Sequence, residues 1–319
     1  MSSDFDKDVQ ELETKIGELK ALAQSKKVDM SAEIGRLEVK AEELRKNVYG
    51  KMGAWQVVQL MRRPDRPRCL DYCERIFTDW MEIHGDHMMA DDKSLIIGFG
   101  KIDGRPVAVL GNQKGRDTKE NLYRNFGMAQ PEGFRKALRF MRMAEKFNLP
   151  ILSFIDIMGA YPGIEGEERS VAEAIARNLA EMSLFKVPII VTVIGEGGSG
   201  GALGIGVGDR ILMLENGFYS VISPEGCAAI LWRDPKKAQQ AAEALKGTAR
   251  DLVKLKIVDE IVPEPMGGAH RDPAKVAASL KGVLIRHLDE LCALDPEVLV
   301  QGRYAKFRAM GAWQEAGVA

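Results

Sequence analysis

The sequence has few cysteines and almost no net charge, and these absences narrow the class of protein. Its 319 residues include four cysteines, and the balance of Lys and Arg against Asp and Glu leaves a net charge of −1. No two cysteines form a CxxC pair, so neither a zinc site nor a disulfide framework is indicated, and the charge does not favour a nucleic-acid binder. We therefore expect free thiols, no bound metal and a reducing compartment.

Long apolar runs are also absent. No segment approaches the roughly 18 apolar residues that a membrane-spanning helix needs. The N-terminal segment, MSSDFDKDVQELETK, is polar and acidic and lacks the apolar core of a secretory signal. We expect a cytoplasmic protein without membrane contact, and the apolar share of 45% is enough for an ordinary globular core.

Two N-terminal segments carry helical periodicity. Apolar residues recur at spacings of three and four over residues 9–23 and again over residues 34–48. A polar break at residues 25–29 separates the segments, and Ser31 is the candidate N-cap of the second helix. The pattern predicts a helical hairpin over residues 1–50, which either covers its own domain or serves as an oligomerisation arm.

Two further segments are rich in basic residues. Residues 62–68 read RRPDRPR, and we expect a solvated surface loop there, with contact to an anionic ligand or partner as the alternative. Lys114, Arg116 and Arg124 follow a strand-like run. They either bind an anionic cofactor or belong to an exposed polar loop.

From residue 94 onward, strand-like and helix-like segments alternate. Strands over residues 94–101 and 105–111 are joined by the hairpin turn Asp103-Gly104, and Pro131 is well placed to begin a helix. The later segments are strands over residues 151–155, 189–194 and 211–214, helices over residues 167–185, 238–255 and 273–293, and a helical tail after Pro296. Strands separated by helices imply parallel pairing and right-handed crossovers. The pattern predicts an α/β fold with a spiral ββα core rather than a plain doubly wound sheet.

A glycine-rich segment, the glycine run, follows the strand predicted at residues 189–194. Residues 195–202 read GEGGSGGA. Such a run lets main-chain N–H groups approach an anion or an oxyanion, although it also suits a tight turn that only permits close packing. A P-loop is excluded because no lysine ends the run. The dinucleotide pattern GxGxxG is formally met, but the segment before the next strand is too short and too rich in glycine for a crossover helix.

Several motifs together resemble one family over almost the whole chain. They are GAWQ at 53–56, NQKGRDTKE at 112–120, RNFGM at 124–128, PEGFRKALR at 131–139, GAYPG at 159–163, IGEGGSGGAL at 194–203, YSVISPEGCA at 219–228 and EPMGGAHRDP at 264–273. The sequence resembles the α subunit of the carboxyltransferase component of multisubunit acetyl-CoA carboxylase, of the bacterial or plastid type. In one departure, the family usually has Asp-Thr-Pro-Gly where this chain has Asp156-Ile157-Met158-Gly159. The missing proline frees a φ angle and an N–H group.

The resemblance implies a crotonase-like fold, with a carboxyltransferase domain over residues 51–296 and a helical tail over residues 297–319. It implies transfer of a carboxyl group from carboxybiotin, held by the biotin carboxyl carrier protein, to acetyl-CoA, which gives malonyl-CoA for fatty acid synthesis. The expected partners are a carboxyltransferase β subunit, which would bring a structural zinc, and biotin carboxylase. An α2β2 heterotetramer is the expected carboxyltransferase.

The resemblance also implies particular site residues. The main-chain N–H groups of Gly200 and Gly201 match the family's oxyanion hole for biotin, and Gly197 and Gly198 would shape the approach to it. The pocket wall would contain Gly159, Ala160 and Tyr161. The second oxyanion hole, for the enolate of acetyl-CoA, belongs to the β subunit in this family. We further expect that Gly201→Val impairs carboxyl transfer without disturbing the fold.

Two other functions stay open. A stand-alone crotonase-type hydratase or hydrolase would need an acid–base pair beside the glycine run, where Glu196 is the only candidate. A non-catalytic assembly subunit would use the glycines for packing alone and the N-terminal helices for contacts.

Overall fold

The computed structural model describes residues 4–26 and 28–311. The strands are β1 (Thr78–Ile83), β2 (Leu95–Ile102), β3 (Arg105–Asn112), β4 (Ile151–Ile157), β5 (Ile189–Gly198), β6 (Arg210–Leu214), β7 (Phe218–Ser220) and β8 (Glu260–Val262). The helices are α1 (Lys7–Lys26), α2 (Ser31–Tyr49), α3 (Ala54–Met61), α4 (Cys69–Ile76), α5 (Thr118–Tyr123), α6 (Pro131–Lys146), α7 (Ile164–Glu168), α8 (Val171–Met182), α9 (Ser199–Leu203), α10 (Pro224–Trp232), α11 (Ala238–Leu245), α12 (Ala249–Lys254), α13 (Pro273–Cys292) and α14 (Pro296–Arg308). None of the described helices is both long and apolar enough to cross a membrane.

Helices α1 and α2 form an antiparallel hairpin. Arg45 of α2 pairs with Glu13 of α1 at 2.8 Å, and Glu13 also pairs with Arg271 in the body of the protein. The base of the hairpin is thus tied to the body by charge. Helix α2 begins at Ser31, whose N–H donates to the carboxylate of Asp29, so the prediction of Ser31 as the N-cap is wrong.

Within the described residues, eight strands form one sheet. The order is β1-β2-β3-β4-β5-β6-β8, and β7 pairs with the end of β5. Strands β1, β2 and β3 pair antiparallel, whereas the pairs from β3 to β8 are parallel. Asp103 and Gly104 have φ angles of 51° and 81°, as a tight hairpin turn requires. The predicted hairpin followed by parallel strands and intervening helices is confirmed.

The central strands are buried on both faces. Every residue of β4 and β5 is buried. Ile155 of β4 packs in one apolar cluster with Phe140 of α6, whereas Phe154 packs in a second cluster with Leu284 of α13. Helices therefore cover both sides of the sheet, which explains why these strands are continuous apolar runs.

Two predicted helices are each divided in two. The segment at residues 167–185 contains the end of α7 and all of α8, which are separated at Ser170, where a φ of 64° is left-handed. The segment at residues 238–255 contains α11 and α12, and the Thr248 side chain caps α12 by accepting a hydrogen bond from the Asp251 N–H. Apolar periodicity alone does not detect either break. The threonine followed three residues later by aspartate was the available signal for the second.

Candidate functional site

The glycine run begins inside a strand. Strand β5 continues to Gly198, so the prediction that it ends at residue 194 is wrong. Residues 190–193 pair with β6, and residues 196–198 pair with β7. At Ser199 the chain turns into the short helix α9. The run therefore connects the end of a buried strand to a helix at the carboxyl edge of the parallel strands, where α/β sheets commonly bind ligands.

A bulge in β5 places two carboxylates beside the run. Its register jumps from Val193 to Gly197, while β4 advances only from Ile155 to Ile157. The N–H of Glu196, within this bulge, donates to the carboxylate of Asp156 at 3.0 Å. Bulges redirect a strand and its side chains, and this one separates the part of β5 that pairs with β6 from the part that pairs with β7.

Several glycines of the run are required for packing. A Cβ atom at Gly198 would collide with the carbonyl oxygen of Met158, and one at Gly201 would lie 2.5 Å from the amide nitrogen of Ala160. The segment after β4 and the end of β5 approach so closely that only glycine fits. The prediction that Gly201→Val leaves the fold undisturbed is therefore wrong.

Gly200 differs from these neighbours. A Cβ atom at Gly200 would contact only Ile175, at an ordinary 3.5 Å. The N–H groups of Gly200 and Gly201 lie in the first turn of α9, where helical N–H groups have no acceptor within the helix. Neither donates to any other residue that the structure describes. The fold therefore leaves both N–H groups unused.

A cavity of about 300 Å³ adjoins Gly200. Its lining includes Ser199, Gly200, Leu203, Tyr219, Leu252 and Ile257. Burial raises the pKa of Tyr219 to about 12, so its hydroxyl stays protonated at neutral pH. An apolar wall with a few hydrogen-bond donors is typical of a small-molecule site.

A slightly larger cavity, of about 330 Å³, lies between α6 and α8 and does not include the glycine run. It contains four arginines, and acceptors of the chain engage each of them. Arg135 pairs with Asp86 at 3.2 Å, and Arg177 pairs with Glu173 at 2.8 Å. Its size alone therefore does not make it the better candidate.

A cluster of ion pairs lies beside the bulge. The Nζ of Lys114 lies 2.7 Å from Asp156 and 3.4 Å from Glu196, and Arg62 also pairs with Glu196, at 2.8 Å. Burial lowers the pKa of Lys114, but the two carboxylates outweigh it and hold this pKa above its ordinary value. Lys114 therefore stays charged and neutralises the carboxylates at the ends of β4 and β5.

The prediction of a solvated loop at residues 62–68 is wrong for residues 66–68, which are buried, whereas Arg62 and Asp65 are exposed. Arg66 is only 5% exposed and forms two hydrogen bonds to the buried carboxylate of Glu264. It also donates to the carbonyl oxygen of Ile194 at 3.1 Å. Glu264 is 198 residues away along the chain, so no local pattern could pair it with Arg66.

The other predicted anion contacts lie apart from the run. Arg116 pairs with Asp71, and Arg124 donates to the carbonyl oxygen of Lys93 at 2.9 Å. Of the three basic residues in this segment, only Lys114 reaches the bulge. Within residues 4–26 and 28–311, no group of three or more His, Cys, Asp or Glu side chains is placed to hold a metal ion.

The predicted pocket wall is divided. Gly159 and Ala160 lie against Gly201, as the close approach of their backbones shows. The ring of Tyr161 instead packs over Gly163, and its hydroxyl donates to Glu165 at 3.2 Å. Gly159 and Ala160 are therefore beside the unused N–H groups, whereas the Tyr161 side chain covers the start of α7.

Solved structures define the class of protein to which this fold belongs. A transcarboxylase 12S with methylmalonyl-coenzyme A bound matches with a TM-score of 0.56 and 19% identity, over 73% of this chain and 44% of that chain. The β subunit of Pseudomonas aeruginosa geranyl-CoA carboxylase matches with a TM-score of 0.56 and 17% identity, over 77% of this chain and 46% of that chain. The chain has the crotonase-like fold, which these structures share.

Sequence relatives define the family within that class. The family described as acetyl co-enzyme A carboxylase carboxyltransferase-like matches residues 2–311. The acetyl-coenzyme A carboxylase carboxyl transferase subunit alpha of Geobacter metallireducens is 57% identical, over 98% of each chain. The subunit of the same name from Edwardsiella ictaluri is 56% identical, over 97% of this chain and 98% of its own length. The chain belongs to the family of acetyl-CoA carboxylase carboxyl transferase α subunits.

Proposed function

We propose that the N–H groups of Gly200 and Gly201 hold the ureido oxygen of biotin while the carboxyl group leaves it. Membership of the family makes the chain a transferase that uses carboxybiotin and acetyl-CoA and forms malonyl-CoA for fatty acid synthesis. Negative charge develops on the ureido oxygen during this transfer, and an anion in a water-poor site needs hydrogen-bond donors. Main-chain N–H groups provide them without an acidic proton that would quench the carbanion of the acceptor.

The observation that carries this proposal is the contrast within the glycine run. Gly200 has an unused N–H group and free space beside a cavity, whereas Gly198 and Gly201 are in tight backbone contact with the segment after β4. Such contacts hold the donors in place before a substrate arrives. Electrostatic stabilisation of a transition state depends on donors that are already oriented.

The charges near the run favour a shared active site over a stand-alone hydratase or hydrolase. Glu196, the carboxylate within the run, is 7% exposed and accepts hydrogen bonds from Arg62 and Lys114. Each oxygen of this carboxylate is therefore engaged by a cation of the chain rather than left free for a substrate. Acid–base chemistry by Glu196 alone therefore has little support, and the carboxyltransferase assignment does not require it.

A carboxyltransferase β subunit is the proposed partner that completes the site and supplies the zinc and the second oxyanion hole. Around the run, Met158, Leu203 and Val221 are 47%, 41% and 74% exposed. Exposed apolar side chains near a site are typical of a protein interface. The α2β2 stoichiometry, the carrier protein, biotin carboxylase and the cytoplasmic location belong to the same proposal.

The division of the chain is likewise part of the proposal. It consists of an interaction arm over residues 1–50, the carboxyltransferase domain over residues 51–296 and a tail over residues 297–319, of which residues 312–319 lie outside the described residues. The salt bridges of Glu13 with Arg45 and Arg271 support an arm whose base is anchored to the body.

The experiment that tests this function is Gly200→Val in the assembled enzyme. A Cβ atom at this position meets no backbone atom, and the branched side chain would extend into the space beside the N–H groups. We expect carboxyl transfer to fall by a factor on the order of 10²–10³, as for removal of an oxyanion donor, with the melting temperature and β-subunit binding unchanged. The measurement is biotin-dependent decarboxylation of malonyl-CoA by the mixed subunits.

A matched control is Gly282→Val on α13, where a Cβ atom meets nothing within 4 Å. It should leave the rate unchanged. Full activity of a folded and assembled Gly200→Val enzyme would refute the assignment of the oxyanion hole. Activity of this chain without a partner would support the stand-alone enzyme instead, and a mixture that assembles but never turns over would support the non-catalytic subunit.

A further inference from the structure

Ser199 has a backbone conformation that glycine adopts more easily. It lies between Gly198 and Gly200, and its φ of 51° is in the left-handed region. That conformation costs an ordinary residue roughly 1–2 kcal/mol, and glycine avoids this cost. Glycine occupies the two positions on either side, yet this strained position carries a hydroxyl. Strain that persists at a site is a reason to look for a role of the side chain.

The segment has the geometry of a strand-to-helix turn that presents a serine. Residues 197–201 read GGSGG, which fits the pattern G-x-S-x-G, and Ser199 is exposed at the junction of β5 and α9. In hydrolases such a serine is a nucleophile and needs an adjacent base. Here no described residue hydrogen-bonds to the Ser199 hydroxyl, and His84 and His287 pair with Asp91 and Glu260 elsewhere. The turn presents a hydroxyl without activating it.

The cavity beside Gly200 contains a second hydroxyl without a partner. Tyr219 lines this cavity, and its ring packs so closely on Gly197 that a Cβ atom there would lie 2.7 Å from the ring. No described residue accepts or donates a hydrogen bond at the Tyr219 hydroxyl. Tyr219 is half-buried at the wall of this cavity, so its unpartnered hydroxyl is available to a polar atom of a ligand that enters the cavity.

We propose that the Ser199 hydroxyl donates a hydrogen bond to the biotin oxyanion beside the Gly200 N–H, and that the Tyr219 hydroxyl binds a second polar atom of the same ring. This rests on the proposed function of the glycine run. It makes Ser199 a side-chain donor within an oxyanion hole of main-chain donors. The strain at Ser199 is then the cost of placing a hydroxyl where glycine would fold more easily.

The experiment is Ser199→Gly in the assembled enzyme, because this change removes the hydroxyl and the strain together. We expect the melting temperature to stay the same or rise, while kcat for biotin-dependent decarboxylation of malonyl-CoA falls about tenfold, a typical effect of losing one hydrogen bond to a charged group. The KM for biotin should change less, because the bond is strongest when the charge develops. Tyr219→Phe should raise that KM with a smaller change in kcat.

A matched control is Asp103→Gly in the β2–β3 turn, where φ is also 51°. It relieves the same backbone strain far from the cavity and should leave kcat unchanged. An unchanged kcat in Ser199→Gly, when Gly200→Val is inactive, would overturn the role of Ser199 and leave the oxyanion hole intact. Activity in Gly200→Val would instead overturn the proposed function. A covalent adduct on Ser199 in the mass spectrum during turnover would show a nucleophile and also overturn the proposal.

Discussion

The two ends of the parallel strands both carry buried charges, but the charges are arranged differently. At the amino end, Arg303 of α14 is 2% exposed and makes two hydrogen bonds to Asp209, at 2.9 and 2.8 Å. Its remaining donors reach the carbonyl oxygens of Met182, Phe185 and Val187. Every nitrogen of this guanidinium has an acceptor within the chain.

At the carboxyl end, the cluster of charges around Lys114 stays partly open. The side chain of Lys114 is 20% exposed between the carboxylates of Asp156 and Glu196, next to the bulge and the glycine run. A buried and saturated ion pair holds helices and strands together, whereas a partly open cluster beside unused N–H groups can orient a site. The difference therefore assigns a stabilising role to the pair of Arg303 with Asp209 at the amino end and a role at the site to the Lys114 cluster at the carboxyl end.

The largest effect is expected from Arg303→Met, which would break the amino end. It leaves the Asp209 carboxylate buried without a cation, and such a loss typically lowers the free energy of unfolding by about 3–5 kcal/mol. Urea unfolding measures the change, and the carboxyl-transfer rate per folded enzyme should be unchanged. Arg308→Met, at an exposed position of the same helix, is the control. A stable Arg303→Met protein would show that the amino end is not the stabilising one.

Lys114→Met is expected to lower the free energy of unfolding less than Arg303→Met does, but to lower the carboxyl-transfer rate. Without the ammonium, Asp156 and Glu196 repel each other across the ends of β4 and β5, which shifts the bulge and the N–H groups that follow it. We expect the carboxyl-transfer rate to fall about tenfold, since small displacements of a donor have large effects on rate. The stability loss should be less than that of Arg303→Met, because Arg62 still pairs with Glu196 and the Glu196 N–H still donates to Asp156.

The matched control for that change is Lys119→Met, in the same basic segment at an exposed position. It should alter neither rate nor stability. Lys114→Met could instead lower stability as strongly as Arg303→Met and leave the rate per folded enzyme intact. Lys114 would then be a stabilising charge like Arg303, without a role at the site.

The smallest effect is expected in the pH dependence of stability through Glu264. Burial would raise the pKa of this carboxyl, but Arg66 outweighs it and holds the pKa below its ordinary 4.5. Its contribution to stability is therefore full above pH 4.5 and is lost as the pH falls through the folded-state pKa. One such group adds at most about 1.4 kcal/mol per pH unit.

The measurement is urea unfolding at a series of pH values below 4.5. In Glu264→Gln, the free energy of unfolding should fall less steeply as the pH decreases. Glu297→Gln, whose side chain is 66% exposed, should leave this pH dependence unchanged. If the free energy of unfolding of Glu264→Gln falls just as steeply below pH 4.5, other carboxylates take up the protons on unfolding. Glu264 would then make no pH-dependent contribution to stability.

Some elements of the fold were predictable because their signals are local. The turn at Asp103-Gly104 needs positive φ angles, and the start of α6 at Pro131 uses a residue whose φ suits the first helical position. The apolar runs of β4 and β5 likewise predicted buried strands. The breaks at Ser170 and Thr248 were not predicted, since apolar periodicity passes through both.

The candidate site was predictable only in outline. The glycine run indicated main-chain donors, and its motifs indicated the family, but the eight-residue pattern does not distinguish Gly200, which is open, from Gly201, which is in contact with Ala160. The bulge that brings Glu196 to Asp156 has no signature in either strand alone. It depends on the register between β4 and β5.

The sequence by itself determined strands β2 to β6, the hairpin, the glycine run and the family, because propensity, turn geometry and motifs act over a few neighbouring residues. Only the tertiary structure decided which charges are structural and which lie at the site. Arg66 and Glu264, or Lys114 and Glu196, meet across long stretches of chain, and the free energy of a charge depends on the partner and the solvent that surround it. Arg66, for example, is expected at the surface from its sequence but forms a buried ion pair in the structure.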